Sequence, residues 1–206
     1  MKLDLLVIYG SVRSTRQGIK AARFVTTKLA ERGHDVFLVD PLEWPLPLLD
    51  KMYKEYPPGG APDVLERLAQ KVKRADAYVI VSGEYNHSIP PALSNLLDHF
   101  LEEYFYKPSA IVCYSAGSGA GLRAAMQLRA MTAEMGMSSI PSILPIAQVQ
   151  STFQDDGTPV DPKWHQRVEK FFAELEWYAR ALKTEREREK TADRSECEAE
   201  KLVPKN

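Results

Sequence analysis

Five short apolar runs separated by longer amphipathic stretches constrain this chain more than any other feature. The runs are Leu3–Tyr9, Asp35–Val39, Ala77–Ser82, Ala110–Tyr114 and Ser142–Ile146, each rich in Val, Ile or Leu. A strand that is apolar along both faces needs cover on both, which is the situation of a parallel sheet wrapped by helices. The stretches between them read as helices over Gly18–Glu31, Asp63–Arg74, Pro91–Glu103 and Gly119–Met135, with a last one from Asp161 to Leu182. Strict alternation of this kind implies β-α-β units, hence an α/β fold with a doubly wound five-stranded parallel sheet. The punctuation agrees. Asp63 and the pair Asp161-Pro162 suit helix starts, and Gly33 and Gly136 stand where helices should stop.

A chain of 206 residues holds one such domain with an appendage. We expect that domain over residues 1–182. Residues 183–206 carry seven basic and seven acidic side chains and few apolar ones, so they read as a charged tail, expected to fray. With 27 basic against 28 acidic residues overall, nothing favours electrostatic capture of nucleic acid or of an anionic membrane. The opening apolar run is too short for a signal peptide or a membrane span. Cys113 and Cys197 lie in a strand and in the tail, which suits neither a disulfide framework nor a metal site. A cytoplasmic setting is the expectation. The connection from Pro41 to Pro62 is proline-rich and carries Trp44, Tyr53 and Tyr56, which suits part of a lid or of a neighbouring subunit's pocket wall.

In a doubly wound sheet the ligand sits beyond the carboxyl ends of the strands, so the loops after the first, third and fourth runs matter most. The first loop, Gly10 to Gly18, gathers Ser11, Ser14, Thr15, Arg13, Arg16 and Gln17 at a helix start, a donor set for a phosphate monoester. The plainer reading makes the hydroxyls caps and turns both arginines to solvent. A pyrophosphate fits less well, because Gly10 is followed by Ser11 and Val12 rather than by a second glycine. The second loop, Gly83-Glu84-Tyr85-Asn86-His87-Ser88-Ile89-Pro90, offers backbone groups beside an aromatic ring, suited to the edge of a flat heterocycle. It also reads as a turn with Asn86 in a left-handed conformation. The third, Ser115-Ala116-Gly117-Ser118-Gly119-Ala120-Gly121, has no large side chain and lets a ligand approach the backbone.

In this order, Gly-Ser-Val-Arg, then Glu-Tyr-Asn-His-Ser-Ile-Pro, then the small-residue loop running into Leu122-Arg123-Ala124-Ala125-Met126-Gln127 resemble the NADPH-dependent FMN reductase family, which includes quinone, azo and chromate reductases. The resemblance covers about residues 3–149. It implies a flavodoxin-like fold with strand order 2-1-3-4-5, FMN as cofactor, NADPH or NADH as co-substrate, and a homodimer or homotetramer. By position it implies that Ser11, Arg13, Arg16 and Gln17 hold the phosphate, that Glu84, Tyr85, Asn86 and His87 border the isoalloxazine, and that Ser115, Ala116 and Gly117 line its pyrimidine side. Gln17 and Gly18 stand where other versions of the family carry Asn, which leaves Gln17 the least secure of the phosphate set.

The chemistry this implies is hydride transfer from reduced nicotinamide through FMN to free flavin, a quinone or another small oxidant. The flavin carries that chemistry, so no catalytic side chain is required. His87 is a candidate proton donor or simply a solvated loop residue, and His34, His99 and His165 read as ordinary surface or helix positions. Two rivals stay open: an electron carrier or flavin-binding regulator that oxidises no nicotinamide, and a dinucleotide-binding dehydrogenase with Asp40 as its ribose-binding acid. Leu93, Leu96, Leu97, Phe100, Leu101, Tyr104, Phe105 and Tyr106 give the third helix and its end a surplus of apolar surface, from which we expect it to lie at an oligomer interface.

Overall fold

The apolar runs form β1 (Asp4–Tyr9), β2 (Asp35–Val39), β3 (Ala77–Ser82), β4 (Pro108–Tyr114) and β5 (Ser138–Ile146) in a computed structural model that describes the backbone of residues 1–201 and the side chains of 1–189 and 191. All neighbours pair in parallel, in the order β2-β1-β3-β4-β5. The helices are α1 (Gly18–Glu31), α2 (Asp63–Arg74), α3 (Pro91–Asp98), α4 (Leu122–Glu134), α5 (Val149–Thr152), α6 (Lys163–Arg167) and α7 (Glu169–Lys201). Alternate residues along each strand enter opposite cores. Leu5, Val7 and Tyr9 pack with α1 and with Phe171, Phe172 and Leu175 of α7 on one face. Leu6 and Ile8 pack with α2, α3 and α4 on the other.

The differences from the expected elements have local causes. β4 and β5 begin earlier than a proline-averse reading allows. Pro108 is the first residue of its strand, and Pro141 and Pro145 lie on an edge strand, where a missing N–H costs little. α4 starts only at Leu122 because Ala120 and Gly121 both have left-handed φ, 53° and 78°. α3 stops at Asp98, and a 3-10 turn over Glu102–Tyr104 follows. There the backbone serves other partners: the His99 carbonyl accepts from the Tyr53 N–H at 2.8 Å, and Glu103 accepts from the Leu101 N–H. Asp63 is the first residue of α2 rather than its cap, which is Pro62. Gly33 and Gly136 close α1 and α4 with φ of 89° and 76°.

Two expectations need correction. The apolar surplus at α3 is consumed inside the monomer: Leu93, Leu96, Leu97, Phe100 and Tyr104 are all at most 2% exposed, leaving only Phe105 and Tyr106 open. The argument for α3 as an interface therefore falls. The proline-rich connection also packs down rather than projecting. Trp44, Leu46, Tyr53 and Tyr56 lie against the α2–α3 core, Trp44 edge-on to Phe37, and the Tyr53 hydroxyl donates to Glu66 at 2.9 Å.

The last helix does not end at Leu182 but runs to Lys201, and its charged start is anchored at the amino ends of the strands. Asp76, 5% exposed, accepts from the Asp4 N–H and pairs with Lys183 at 2.8 Å and with Arg186. Residues 202–206 of the expected tail lie outside the described residues. No helix among the described residues is long and apolar enough to cross a membrane.

A second anchor for α7 is sensitive to acid. His34 and His99, expected at ordinary surface or helix positions, are both buried. His34 Nδ1 accepts from the Leu3 N–H, which leaves Nε2 to donate to Glu176 at 3.1 Å. Arg32 donates to the same Glu176 oxygen. Burial pushes the Glu176 carboxyl up, but the bonds from Arg32 and His34 outweigh it and hold the group below its ordinary 4.5. A carboxylate with a depressed folded-state pKa stabilises the fold above the ordinary value and stops doing so as pH falls through the folded one. Glu176→Gln should therefore cost about 3 kcal/mol near pH 7, and the gap between variant and wild type should narrow as pH drops below 4.5. Urea unfolding of both proteins across that range is the check.

Candidate functional site

At the carboxyl ends of β1, β3 and β4 the three loops enclose a cleft of about 260 Å³. Its walls include Ser11, Arg13, Thr15, Arg16 and Gln17 from the first loop, Glu84 and Tyr85 from the second, and Tyr114, Ser115 and Ala116 from the third. Eight of the eleven expected site residues thus meet in one place. Asn86, His87 and Gly117 stand outside these walls, all three exposed at loop tips.

The floor of the cleft is a group of hydroxyls in which the expected Ser11 and Tyr85 lie beside Tyr9 and Tyr114, which the residue patterns did not single out. Ser11 Oγ and the Tyr85 hydroxyl are 2.7 Å apart, and the Tyr114 hydroxyl donates to that of Tyr9 at 3.3 Å. Burial raises both core tyrosines above the ordinary phenol value, Tyr114 most strongly, so they stay neutral donors. Tyr114 also explains three glycines. A Cβ on Gly18 would lie 2.0 Å from its ring, one on Gly83 3.1 Å from it, and one on Gly121 2.7 Å from its carbonyl oxygen. Glycine at position 18 is thus a packing requirement. The signal was legible as a glycine opening each of two loop-helix junctions, but for Gly18 the cause lies in Tyr114, about a hundred positions away.

The first loop carries the donors for an anion. Gln17 precedes α1 in helical conformation, no side chain among the described residues caps that helix, and its first turn has no acidic residue. Backbone N–H groups at such an end seek an anion. Arg13 is exposed beside them. Arg16 is differently engaged: its two terminal nitrogens hold the Asp40 carboxylate, one at 2.6 Å, and one also donates to the Ser11 carbonyl. The guanidinium lies 5.4 Å from the centre of the Tyr9 ring. Arg16 therefore joins the first loop to the end of β2, and Asp40, 3% exposed and also bonded to the Leu42 N–H, is not free to hold a ribose.

The second loop combines both of its readings. Tyr85 and Ser88 exchange two backbone hydrogen bonds around Asn86 and His87, with φ of 51° and 63°, the two-residue hairpin that left-handed pairs form. Gln127 of α4 clasps it, donating to the His87 carbonyl at 2.8 Å and accepting from Ser88. Glu84 accepts from the Arg123 N–H and from its guanidinium, so the carboxylate serves the start of α4. The third loop is braced by Gln148 and Val149, whose N–H groups bind the Gly117 and Ser115 carbonyls. Among the described residues no group of three His, Cys, Asp or Glu side chains is placed to hold a metal.

Residues 3–151, which contain all three loops, match the family model for NADPH-dependent FMN reductase. The chain belongs to that family. It is an oxidoreductase using FMN and a reduced nicotinamide, on a flavodoxin-like fold. An NAD(P)H-dependent FMN reductase of Schizosaccharomyces pombe is 34% identical over 149 residues, 68% of this chain and 70% of that one. A probable NADPH:quinone oxidoreductase of Oryza sativa is 32% identical over 66% of this chain and 72% of its own. Among solved structures, the flavoenzyme NAD(P)H:(acceptor) oxidoreductase of Paracoccus denitrificans superposes with a TM-score of 0.68 at 21% identity, covering 88% of this chain and 98% of that one.

The donor set fits FMN. An uncapped helix start with Ser11, Arg13, Thr15 and Gln17 suits a terminal phosphate, and Ser115 and Ala116 of the third loop put only small side chains in the way of a ring edge. Because Tyr114 fills the space under the first helix turn, Gly18→Ala should cost about 2–3 kcal/mol through overpacking and weaken FMN binding with it. Thermal unfolding and FMN titration of the variant check both. A variant as stable as wild type would show that Tyr114 yields freely.

Proposed function

We propose that Ser11, Arg13, Thr15, Gln17 and the first amides of α1 hold the FMN phosphate. Glu84 and Tyr85 border the ring from the second loop, with Asn86 and His87 on its rim, and Ser115, Ala116 and Gly117 line its pyrimidine edge. The observation that carries this reading is the convergence of an anion-seeking helix start with the two backbone-rich loops on one cleft. In it Arg16 serves the phosphate indirectly, by fixing the loop through Asp40.

When bound, FMN supplies a centre that takes a hydride from reduced nicotinamide and passes two electrons to an acceptor. The net reaction with a quinone is NAD(P)H + H⁺ + quinone → NAD(P)⁺ + hydroquinone. The protein's part is to bind and orient. The Ser11–Tyr85 bond locks the first loop to the second, Gln127 holds the second to α4, and Gln148 and Val149 hold the third to the end of β5. His87 stands in solvent at the open rim, so water can deliver the proton and no buried acid is needed. We propose a quinone as a natural acceptor class, in keeping with the names of the rice relative and of a Pseudomonas putida quinone reductase.

The proposed setting is the cytoplasm, where Cys113 stays reduced: it is buried, and burial pushes its thiol up to about 12. For the proposed homo-oligomer, exposed Leu122 and Met126, one turn apart on α4, replace α3 as the apolar surface. The catalytic domain takes in residues 1–182 and the anchored start of the charged segment through Arg186.

Arg13 and Arg16 should separate on mutation. Arg13→Ala removes a charge-assisted bond to phosphate, worth about 1.5–3 kcal/mol, and should weaken FMN binding by about tenfold or more without changing riboflavin affinity or thermal stability. Arg16→Ala strands the buried Asp40 carboxylate and should lower stability by about 3 kcal/mol. Flavin titrations alongside urea unfolding read out both. Arg13→Ala with wild-type FMN affinity would move the phosphate elsewhere.

A single cleft at one end of the sheet leaves nicotinamide and acceptor to use the same space in turn. Initial rates over a grid of NADPH and quinone concentrations should give parallel double-reciprocal lines. Intersecting lines would show that both substrates bind before chemistry.

A further inference from the structure

The third loop gives its first carbonyls to one neighbour. The Ser115 carbonyl accepts from the Val149 N–H at 3.1 Å, that of Gly117 from the Gln148 N–H at 3.2 Å, and that of Ala116 from the side-chain nitrogen of Gln150 at 3.2 Å. Gln148 precedes α5 and the other two partners open that helix. A trans peptide carries its C=O and the following N–H on opposite sides, and no peptide bond among the described residues is cis. Each carbonyl drawn to α5 therefore turns the next amide away from it, at Ala116, Gly117 and Ser118 in succession. None of these three N–H groups has an acceptor among the described residues. α5 follows β5, and β4 lies between β5 and β3, so the amides turn from the sheet edge toward the second loop, which shares the cleft with Ser115 and Ala116. Successive free amides of this kind suit an acceptor that carries negative charge. Two of the three clamps are made by backbone. The peptide between Ala116 and Gly117 is held by a side chain alone, that of Gln150.

We infer that Gln150 is a positioning residue for the cofactor: by holding the Ala116 carbonyl on α5 it keeps the Gly117 N–H turned to the cleft, and so makes the site bind reduced FMN better than it would otherwise. The inference rests on the reading above that this loop meets the pyrimidine edge of the ring. The oxygen and nitrogen acceptors of that edge gain negative charge when a hydride reaches the flavin. Donors fixed where charge develops favour the charged state over the neutral one. Gln150 is exposed and stands outside the walls of the cleft, so it acts through the loop and touches no reacting atom in this arrangement.

Gln150→Met keeps the length of the side chain and removes its N–H groups. The test titrates wild type and variant with oxidised FMN and with riboflavin, and measures the midpoint potential of bound FMN anaerobically against a reference dye. Affinity and potential together give the ratio of dissociation constants, reduced over oxidised. That ratio should rise about fivefold in the variant, with a matching fall in potential. The preference for FMN over riboflavin, which reads the phosphate site, should stay as in wild type. A merely structural role would weaken both redox states alike, so equal weakening or an unchanged ratio overturns the inference. Ala116→Trp checks the reading beneath it by filling the cleft beside the loop. If that variant binds oxidised FMN as wild type does, the ring lies elsewhere, and the reading falls together with the inference. If it binds FMN poorly while Gln150→Met leaves the ratio unchanged, the inference alone falls.

Discussion

The site depends on one aromatic side chain placed where three loops meet. Tyr114 ends β4, and its ring occupies the space that side chains on Gly18 and Gly83 would need. Its backbone leaves no room for a Cβ on Gly121. One ring therefore sets how closely the first turn of α1, the exit of β3 and the third loop approach each other. Its hydroxyl, kept neutral by burial, donates to that of Tyr9, so the core does not lose a hydrogen bond where it meets the cleft. The floor is stiff because it is packed, while the loops above it keep free backbone groups for a ligand.

Charge is divided with equal economy. Two arginines in the first loop look equivalent in sequence, yet Arg16 faces a buried carboxylate on the neighbouring strand end and Arg13 faces solvent. A buried pair of this kind is costly to break from either side, because the remaining charge has no water to replace its partner. Arg16 and Asp40 thus fix the loop, and Arg13 remains exposed at the cleft. The same logic governs the opposite end of the sheet, where Asp76 and Glu176 draw α7 onto the strand starts. Buried ion pairs thus hold the chain at both ends of the strands.

Most of the architecture was legible because it rests on local pattern. β2, β3, α1 and α2 fall at the expected residues, since their apolar spacing and end signals agree. The errors arise where tertiary context overrules local preference. Prolines are admitted to β5 by its edge position, and α3 is cut short by partners from the proline-rich connection. The site was legible to the level of loops and less so to the level of side chains. Ser11, Arg13, Tyr85 and Ser115, named from motif order, line one cleft. The pairing of Arg16 with Asp40 and of Glu84 with Arg123 spans 24 and 39 positions, and no spacing rule predicts such partners.

The surplus of apolar residues at α3 shows what composition cannot decide alone. Eight large apolar side chains in fourteen positions fit either an interface or a deep core, and only the thickness of the layer beneath separates the two. Here the proline-rich connection adds a further layer: Tyr53 packs on Phe100, Tyr104 sits edge-on to Tyr78, and the surplus is buried within one chain. Folding that connection down has a second effect. It lays Leu42, Trp44 and Leu46 beside Val12, against the first loop, so a segment recruited to complete a core also shapes the apolar ground next to the reaction cleft.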